Sequence, residues 1–178
     1  MNVFEIEDAL RSFSVIVDTR EQNTARASER YASFGVPAER ATLSYGDYCA
    51  NIILPSAKPL HNIWKKVSAP CVIERKMSLD ELAMCFTRGR DRFRREFERA
   101  SANSAKIYLL VENASWEAII NHRYRSRYNE RAFLASITAW CVRYGAVPIF
   151  CKHTTSGALI KELLYRDIKE RLENGEYG

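Results

Sequence analysis

Residues 71–82, "CVIERKMSLDEL", decide how the rest of the chain reads. The apolar start, Val72-Ile73, has the composition of a strand entering a core, yet Glu74-Arg75-Lys76 follows at once. Three ionisable side chains at the end of a buried strand each cost free energy unless partnered. Directly after them Ser78 stands where a helix N-cap belongs, with Asp80 and Glu81 in the first turn, where the helix dipole favours acids. Leu79, Leu82, Ala83 and Phe86 then keep helical spacing. A strand with a charged end, followed by a capped helix, is a building unit of an α/β fold.

The alternation extends both ways. Upstream, Phe13–Asp18, "FSVIVD", reads as a buried strand ending at an acid, and Thr24–Phe34 as a helix stopped by Gly35-Val36-Pro37. Residues 41–54 hold two strand-like pieces around Ser44-Tyr45-Gly46-Asp47, with Gly46 marking a bend or a close backbone approach. Residues 55–70 carry Pro55, Pro59 and Pro70 without periodicity and read as a loop. Downstream, Gly89 interrupts an apolar stripe that Phe93, Phe97 and Ala100 resume. "KIYLLV" (106–111) and "VPIFC" (147–151) read as strands, Asn129–Tyr144 as a helix closed by Gly145, and Thr155–Leu172 as a last helix. With no repeat, low-complexity segment or linker, the expectation is a single α/β domain over residues 1–178, with helices on both sides of a sheet.

Composition agrees. A chain of 178 residues, 47% hydrophobic and 28% charged, can bury a core and is neither disordered nor membrane-embedded in character. It has no apolar run of membrane-spanning length and no basic-then-apolar leader, so a soluble, cytoplasmic protein without a membrane partner is expected. Five cysteines form no Cys-x-x-Cys pair and read as free, mostly buried thiols rather than a zinc site or disulfides. The net charge of +5 is modest, but arginine is concentrated in two runs. "RGRDRFRREFER" (88–99) sets six arginines against Asp91, Glu96 and Glu98, and "HRYRSRYNER" (122–131) sets four against Glu130. A solvated helix face is the plain reading of either run; arginine in place of lysine favours phosphate contact.

Four acids share one property. Asp18 and Glu21 in "VDTREQ", Asp47 in "YGDY" and Glu74 in "ERK" all lie at or beside strand ends, where rigid backbone places side chains accurately. Converging carboxylates repel one another and resist ionisation, a conflict that Mg²⁺, which takes one or two carboxylates plus waters, resolves. Lys76 falls on the same face of an extended segment as Glu74, placed to hold or deprotonate a water beside a metal. For each site taken singly, a Glu74–Lys76 ion pair or a helix cap at Asp18 and Glu21 remains open.

Taken in order, "VIVDTREQ", "LSYGDY", "VIERKMSLDEL" and "RGRDRFRREFER" resemble the nuclease domain of the XPF family of structure-specific endonucleases, in the PD-(D/E)XK superfamily. The hallmark of that family is Gly-Asp, a variable spacer, Glu-Arg-Lys and an Asp four residues on; here these are Gly46-Asp47, Glu74-Arg75-Lys76 and Asp80, preceded by Val17-Asp18-Thr19-Arg20-Glu21. The resemblance implies a restriction-endonuclease-like three-layer fold, a central mixed β-sheet flanked by helices. It also implies a divalent-metal-dependent DNA endonuclease acting at branched or flapped DNA and single-strand/duplex junctions. Asp18, Glu21, Asp47 and Glu74 then take the metal positions, with Mg²⁺ as cofactor and Mn²⁺ as a substitute, and Lys76 the catalytic one. Arg20 and Arg75 would brace the acids and contact phosphate. Arg88, Arg90, Arg92, Arg94 and Arg95, with Arg123, Arg125 and Arg127, would hold the DNA backbone, and Tyr124 and Tyr128 are candidates for base stacking. Asp80 is expected to cap its helix and pair with a neighbouring basic group rather than bind metal.

The chain departs from that family in having no space for tandem helix-hairpin-helix modules or a helicase-like region, so one nuclease domain is expected. Inactive family partners have lost these acids; this chain keeps them. Two other readings stay open: a non-catalytic DNA-binding subunit, and a general nuclease of DNA or RNA without branch preference. A homodimer is expected, because the helices over 129–144 and 155–172 carry apolar residues on more than one side and XPF-type nuclease domains pair through this region.

Overall fold

The structure is a computed structural model, and it describes residues 1–54 and 71–176. The loop expected over 55–70 lies outside the described residues. Among those described, seven helices and six strands follow the order α1 (Val3–Arg11), β1 (Ser14–Asp18), α2 (Ala25–Ala32), β2 (Ala38–Ala41), β3 (Tyr48–Asn51), β4 (Cys71–Lys76), α3 (Leu79–Phe86), α4 (Arg90–Ala102), β5 (Lys106–Glu112), α5 (Trp116–Ile120), α6 (Glu130–Tyr144), β6 (Val147–Cys151) and α7 (Ser156–Glu173).

The strands form one mixed sheet, ordered β2-β1-β3-β4-β5-β6. β3 runs antiparallel to both β1 and β4, while β1 with β2, β4 with β5, and β5 with β6 are parallel. The carboxy ends of β1, β4 and β5 therefore meet the amino end of β3 at one edge of the sheet. Every acid singled out at a strand end is carried to that edge by this topology.

Strand alternation divides the core in two. Ile16, Val72 and Leu109 face α3, α4 and α6, where Phe86, Phe93 and Phe97 surround Trp140 at ring-centroid distances of 4.8, 4.8 and 4.6 Å. Val15, Val17, Ile73 and Leu110 face the other way, toward α1 and α7. This is the expected three-layer arrangement. Of the two helices expected to leave an apolar surplus, α7 does not: Ile160, Leu164, Ile168 and Leu172 are buried against the domain's own sheet, with Leu159, Leu163 and Tyr165 packed beside them. α6 buries Phe133, Ile137 and Trp140 but leaves Val142 89% exposed.

Two helices escape the periodicity reading. α1 is set by a reciprocal cap, in which the Glu5 amide donates to Asn2 Oδ1 (2.9 Å) and the Asn2 amide donates to Glu5 Oε2 (2.8 Å). α5 has five residues, too few for a helical period to show. The first strand piece expected within 41–54 falls earlier, at Ala38–Ala41, on an exposed edge where burial leaves no pattern. At the start of α7, Gly157 lies so close to α2 that a Cβ there would come within 1.9 Å of Ser33 Oγ and 2.4 Å of the Arg30 carbonyl oxygen. No helix among the described residues is long and apolar enough to cross a membrane, and all five cysteines are free thiols.

Candidate active site

The turn before β3 places Asp47. Gly46 has φ +72°, and a Cβ on it would sit 2.9 Å from Val72 Cβ, so this position is both a left-handed bend and a close approach. The Asp47 amide donates to the Ile73 carbonyl (2.8 Å) while its own carbonyl accepts from the Asp18 amide (2.8 Å). Asp47 Oδ2 accepts from the Arg75 amide at 2.7 Å. The residue is thus pinned between β1 and β4 through backbone and side chain alike.

Because β4 alternates, Glu74 and Lys76 project to the α3–α4 side and Arg75 to the α2 side. Glu74 and Lys76 are 4% and 8% exposed, and Lys76 Nζ donates to Glu74 Oε1 at 2.6 Å. The ammonium also stands 5.2 Å from the centroid of Phe93. Burial would push the Lys76 pKa down, but Glu74 and Asp47 outweigh it and hold the ammonium above the ordinary lysine range. For the acids the balance is reversed. Burial, and then the neighbouring Glu74 carboxylate, raise the Asp47 pKa, and burial raises that of Glu74 against the pull of Lys76.

The other two acids of the expected set are occupied. Asp18 Oδ1 accepts from the Arg20 amide and Nε, both at 2.7 Å, and Oδ2 from the Leu43 amide at 2.7 Å. Burial pushes its carboxyl up, but these bonds prevail and hold it below the usual range. Arg20 in turn reaches Glu96 on α4 at 3.2 Å.

On the α2 side, Glu21 belongs to a closed ring. Arg75 Nε and Nη2 donate to Glu21 (3.1 and 3.4 Å), and its Nη1 to Glu112 Oε2 (3.5 Å). Arg30 Nε donates to Glu112 Oε1 (3.2 Å) and its Nη1 to the Tyr48 hydroxyl oxygen (3.1 Å). The Tyr48 hydroxyl closes the circuit by donating to Glu21 Oε1 (2.9 Å). Two guanidinium and two carboxylate groups balance, which is how buried charges persist.

Both sets open onto one cleft of ≈ 840 Å³. It brings together Glu21, Asp47, Glu74, Lys76, Arg20 and Arg75 from the expected site. Among the described residues, no three acidic, histidine or cysteine side chains form a metal-holding group; Asp47 and Glu74 remain as a neighbouring pair. Of the first basic run, only Arg92 among the expected contacts lines the cleft, joined by Arg99. Arg88, Arg90, Arg94 and Arg95 are exposed outside it, with Arg94 held at 3.5 Å by both Asp91 and Glu98. Arg123, Arg125 and Arg127 lie on the connection from α5 to α6, away from the cleft lining. Tyr124 and Tyr128 are half-buried: their rings pack on Phe133, and their hydroxyls bond the Tyr128 carbonyl and Ser136 Oγ, each at 2.7 Å.

Sequence reasoning missed Glu112, Arg30, Tyr48 and Glu96. The strand-end rule that picked out Glu74 applies equally to Glu112, the residue after "KIYLLV". Arg30, inside a short polar helix, carries no such signal.

Compared with known proteins, residues 17–165 match the ERCC4 domain. The chain belongs to the ERCC4 domain family. Among solved structures this ERCC4 domain is similar to XPF from Aeropyrum pernix, with 24% identity and a TM-score of 0.59 over 88% of this chain and 68% of that one. It is also similar to XPF from Aeropyrum pernix in complex with DNA, with 25% identity and a TM-score of 0.58 over 86% of this chain and 63% of that one. The ERCC4 domain thus spans less than two thirds of the DNA-complexed chain. No curated protein sequence matches it. Its three-layer sheet is the restriction-endonuclease-like fold of an XPF-family nuclease domain.

Proposed function

We propose that this ERCC4 domain is a divalent-metal-dependent DNA endonuclease that cuts at branched or flapped DNA and single-strand/duplex junctions. The observation that carries the reading is the Asp47–Glu74–Lys76 constellation on the floor of the cleft. Two carboxylates whose ionisation is opposed by burial, and further by Glu74 at Asp47 and by Glu96 at Glu74, suit one hard cation with water in its remaining positions. Asp47 and Glu74 would hold Mg²⁺, or Mn²⁺ in its place. When bound, the cation supplies charge neutralisation and Lewis-acid activation of water. Asp18 and Glu21, engaged by Arg20 and by Arg75 with Tyr48, act as braces that fix the two arginines at the cleft wall.

Lys76 contributes a positive charge at a stated place. Beside Glu74 and Asp47, which hold it above the ordinary lysine range, its ammonium is placed to donate to a phosphate oxygen and offset the negative charge that develops on the oxygens around phosphorus. Arg20, Arg92 and Arg99 on the same cleft offer N–H donors to backbone phosphates. The similarity to an XPF solved with DNA supports the choice of polymer. The outward face of α6, where Ala135, Ala139 and Val142 are exposed, supports a homodimer.

The test compares a 3′ flap, a four-way junction, plain duplex and single-stranded RNA with Mg²⁺, with Mn²⁺ and with chelator. Metal-dependent cleavage of the flap or junction in preference to duplex is expected. Equal cleavage of all substrates leaves a general nuclease, and tight DNA binding without cleavage under either metal leaves a non-catalytic subunit. Light scattering at micromolar concentration reads the oligomer, and a monomer mass with and without DNA removes the dimer.

A further inference from the structure

The second arginine run lies apart from the cleft, and the connection that carries it is built rather than loose. Along residues 123–128 exposure alternates: Arg123, Arg125 and Arg127 face solvent, while Tyr124, Ser126 and Tyr128 are half-buried. Each inward position has an anchor. Tyr124 packs on Phe133 at 5.3 Å and donates its hydroxyl to the Tyr128 carbonyl at 2.7 Å. Tyr128 packs on the same ring at 5.4 Å and bonds Ser136 at 2.7 Å. The Ser126 carbonyl lies 3.0 Å from His122 Nε2, and its hydroxyl accepts from the Tyr128 amide at 3.2 Å.

The remaining anchor comes from 45 residues away. Asp80, in the first turn of α3, accepts the Arg125 amide at 2.8 Å and the Ser126 amide at 2.7 Å on one oxygen, Oδ1. Its Oδ2 stands 3.4 Å from Arg125 Nε, whose side chain is 94% exposed. Ser78 already caps α3, so the carboxylate of Asp80 serves the connection and not its own helix. α3 follows directly on β4, so Asp80 ties the three outward arginines to the strand that carries Glu74 and Lys76.

We propose that residues 123–127 form a preformed phosphate-contacting edge for the DNA backbone outside the cleft, and that Asp80 is the residue that positions it. The inference rests on the reading that the domain binds DNA. A backbone already pinned need not be ordered when its three guanidiniums make contact, and arginine is the side chain suited to phosphate. An acid in a DNA-contacting surface ordinarily weakens binding through charge alone; here its removal weakens binding, because the edge it holds is lost.

That sign is the test. Binding of the full chain to a duplex oligonucleotide is measured across a salt series for wild type, Asp80→Ala, Asp80→Asn and a triple Arg123→Gln/Arg125→Gln/Arg127→Gln variant. The triple variant loses up to about 2.7 from the slope of log K against log salt, about 0.9 for each duplex phosphate contact. Asp80→Ala binds several-fold more weakly despite its extra positive charge, and its Arg125 and Ser126 amides exchange hydrogen faster without DNA. Asp80→Asn keeps an oxygen acceptor for both amides and binds at least as well as wild type. An unchanged slope in the triple variant, or tighter binding by Asp80→Ala, overturns the inference while wild-type binding still stands. A wild type that binds no DNA overturns the proposed function as well.

Discussion

Lys76 Nζ and Glu74 Oε1 meet at 2.6 Å across one strand repeat of β4, on a face where both side chains are almost wholly buried. The contact sets the electrostatics of the cleft floor: one ammonium bonds Glu74 directly and lies within the field of Asp47. Replacing Lys76 with Met preserves bulk beneath Phe93 and removes the charge together with the bond to Glu74. Cleavage of a flap substrate is expected to fall by about 10²–10³-fold, with DNA affinity changed little. Cleavage within a few-fold of wild type would show that Lys76 is only a structural ion pair.

Asp47 supplies a pH signature. With its pKa raised by burial and by Glu74, the folded state holds protons that the unfolded chain releases, so this site costs stability as pH rises through and above the ordinary carboxylate range. Asp47→Asn should therefore flatten the fall in Tm as pH rises above the ordinary carboxylate range, and raise Tm at the upper end of that window, while abolishing cleavage and leaving DNA binding. Mg²⁺ should raise the wild-type Tm more at the upper end of that window than at the lower, and leave the variant unmoved. A thermal-shift series with and without Mg²⁺ reads both effects.

Glu112 never approaches the Lys76 face, yet its loss should be felt. Glu112→Gln leaves Arg30 and Arg75 sharing Glu21 alone, and breaking a buried ion pair costs about 3–5 kcal/mol. Urea unfolding should show a loss at the lower end of that range. Adding Arg30→Met rebalances the charge and should recover a substantial part of it, which a purely steric effect at Glu112 would not allow.

Gly46→Ala introduces a methyl 2.9 Å from Val72 Cβ at a left-handed φ of +72°. Strain and overpacking of this kind cost about 1–3 kcal/mol. Because the same turn sets Asp47, the variant should lose cleavage out of proportion to its stability, when cleavage is assayed well below its Tm.

The salt dependence of binding separates the arginines of α4. Neutralising Arg92 and Arg99 to Gln should lower the slope of log K against log salt by about 0.9 apiece. Arg94→Gln, at a residue outside the cleft lining, should leave the slope unchanged. Equal effects at all three would mean that the whole helix face, and not the cleft wall, meets DNA.

How much of this was legible follows from what each residue type reports. The strand-end acids and "ERK" were readable because charge beside an apolar run is anomalous, and anomaly marks a site. The helices α4, α6 and α7 were readable from their stripes. What could not be read was which guanidinium meets which carboxylate: Asp18, Glu21, Asp47 and Glu74 look alike in the sequence, and only the partners brought by the fold separate the pair beside Lys76 from the acids held by arginine. Arg30 was invisible for the same reason, since its partners lie 18 and 82 residues away. The α7 stripe looked like surplus because a helix pattern shows how much apolar surface exists but not how much the sheet will cover.

Gly157 leaves α2 and α7 touching through bare backbone, with Ser33 and the Arg30 carbonyl where a side chain would stand. A side chain at position 157 would therefore drive the two helices apart. Arg30 stands at that junction and Glu112 at the far end of its reach, so the carboxy-terminal helix is mechanically in series with one wall of the cleft. Sensitivity of cleavage to substitution along this chain should therefore follow that line of rigid contacts, and a map of it would show a second maximum at the start of α7.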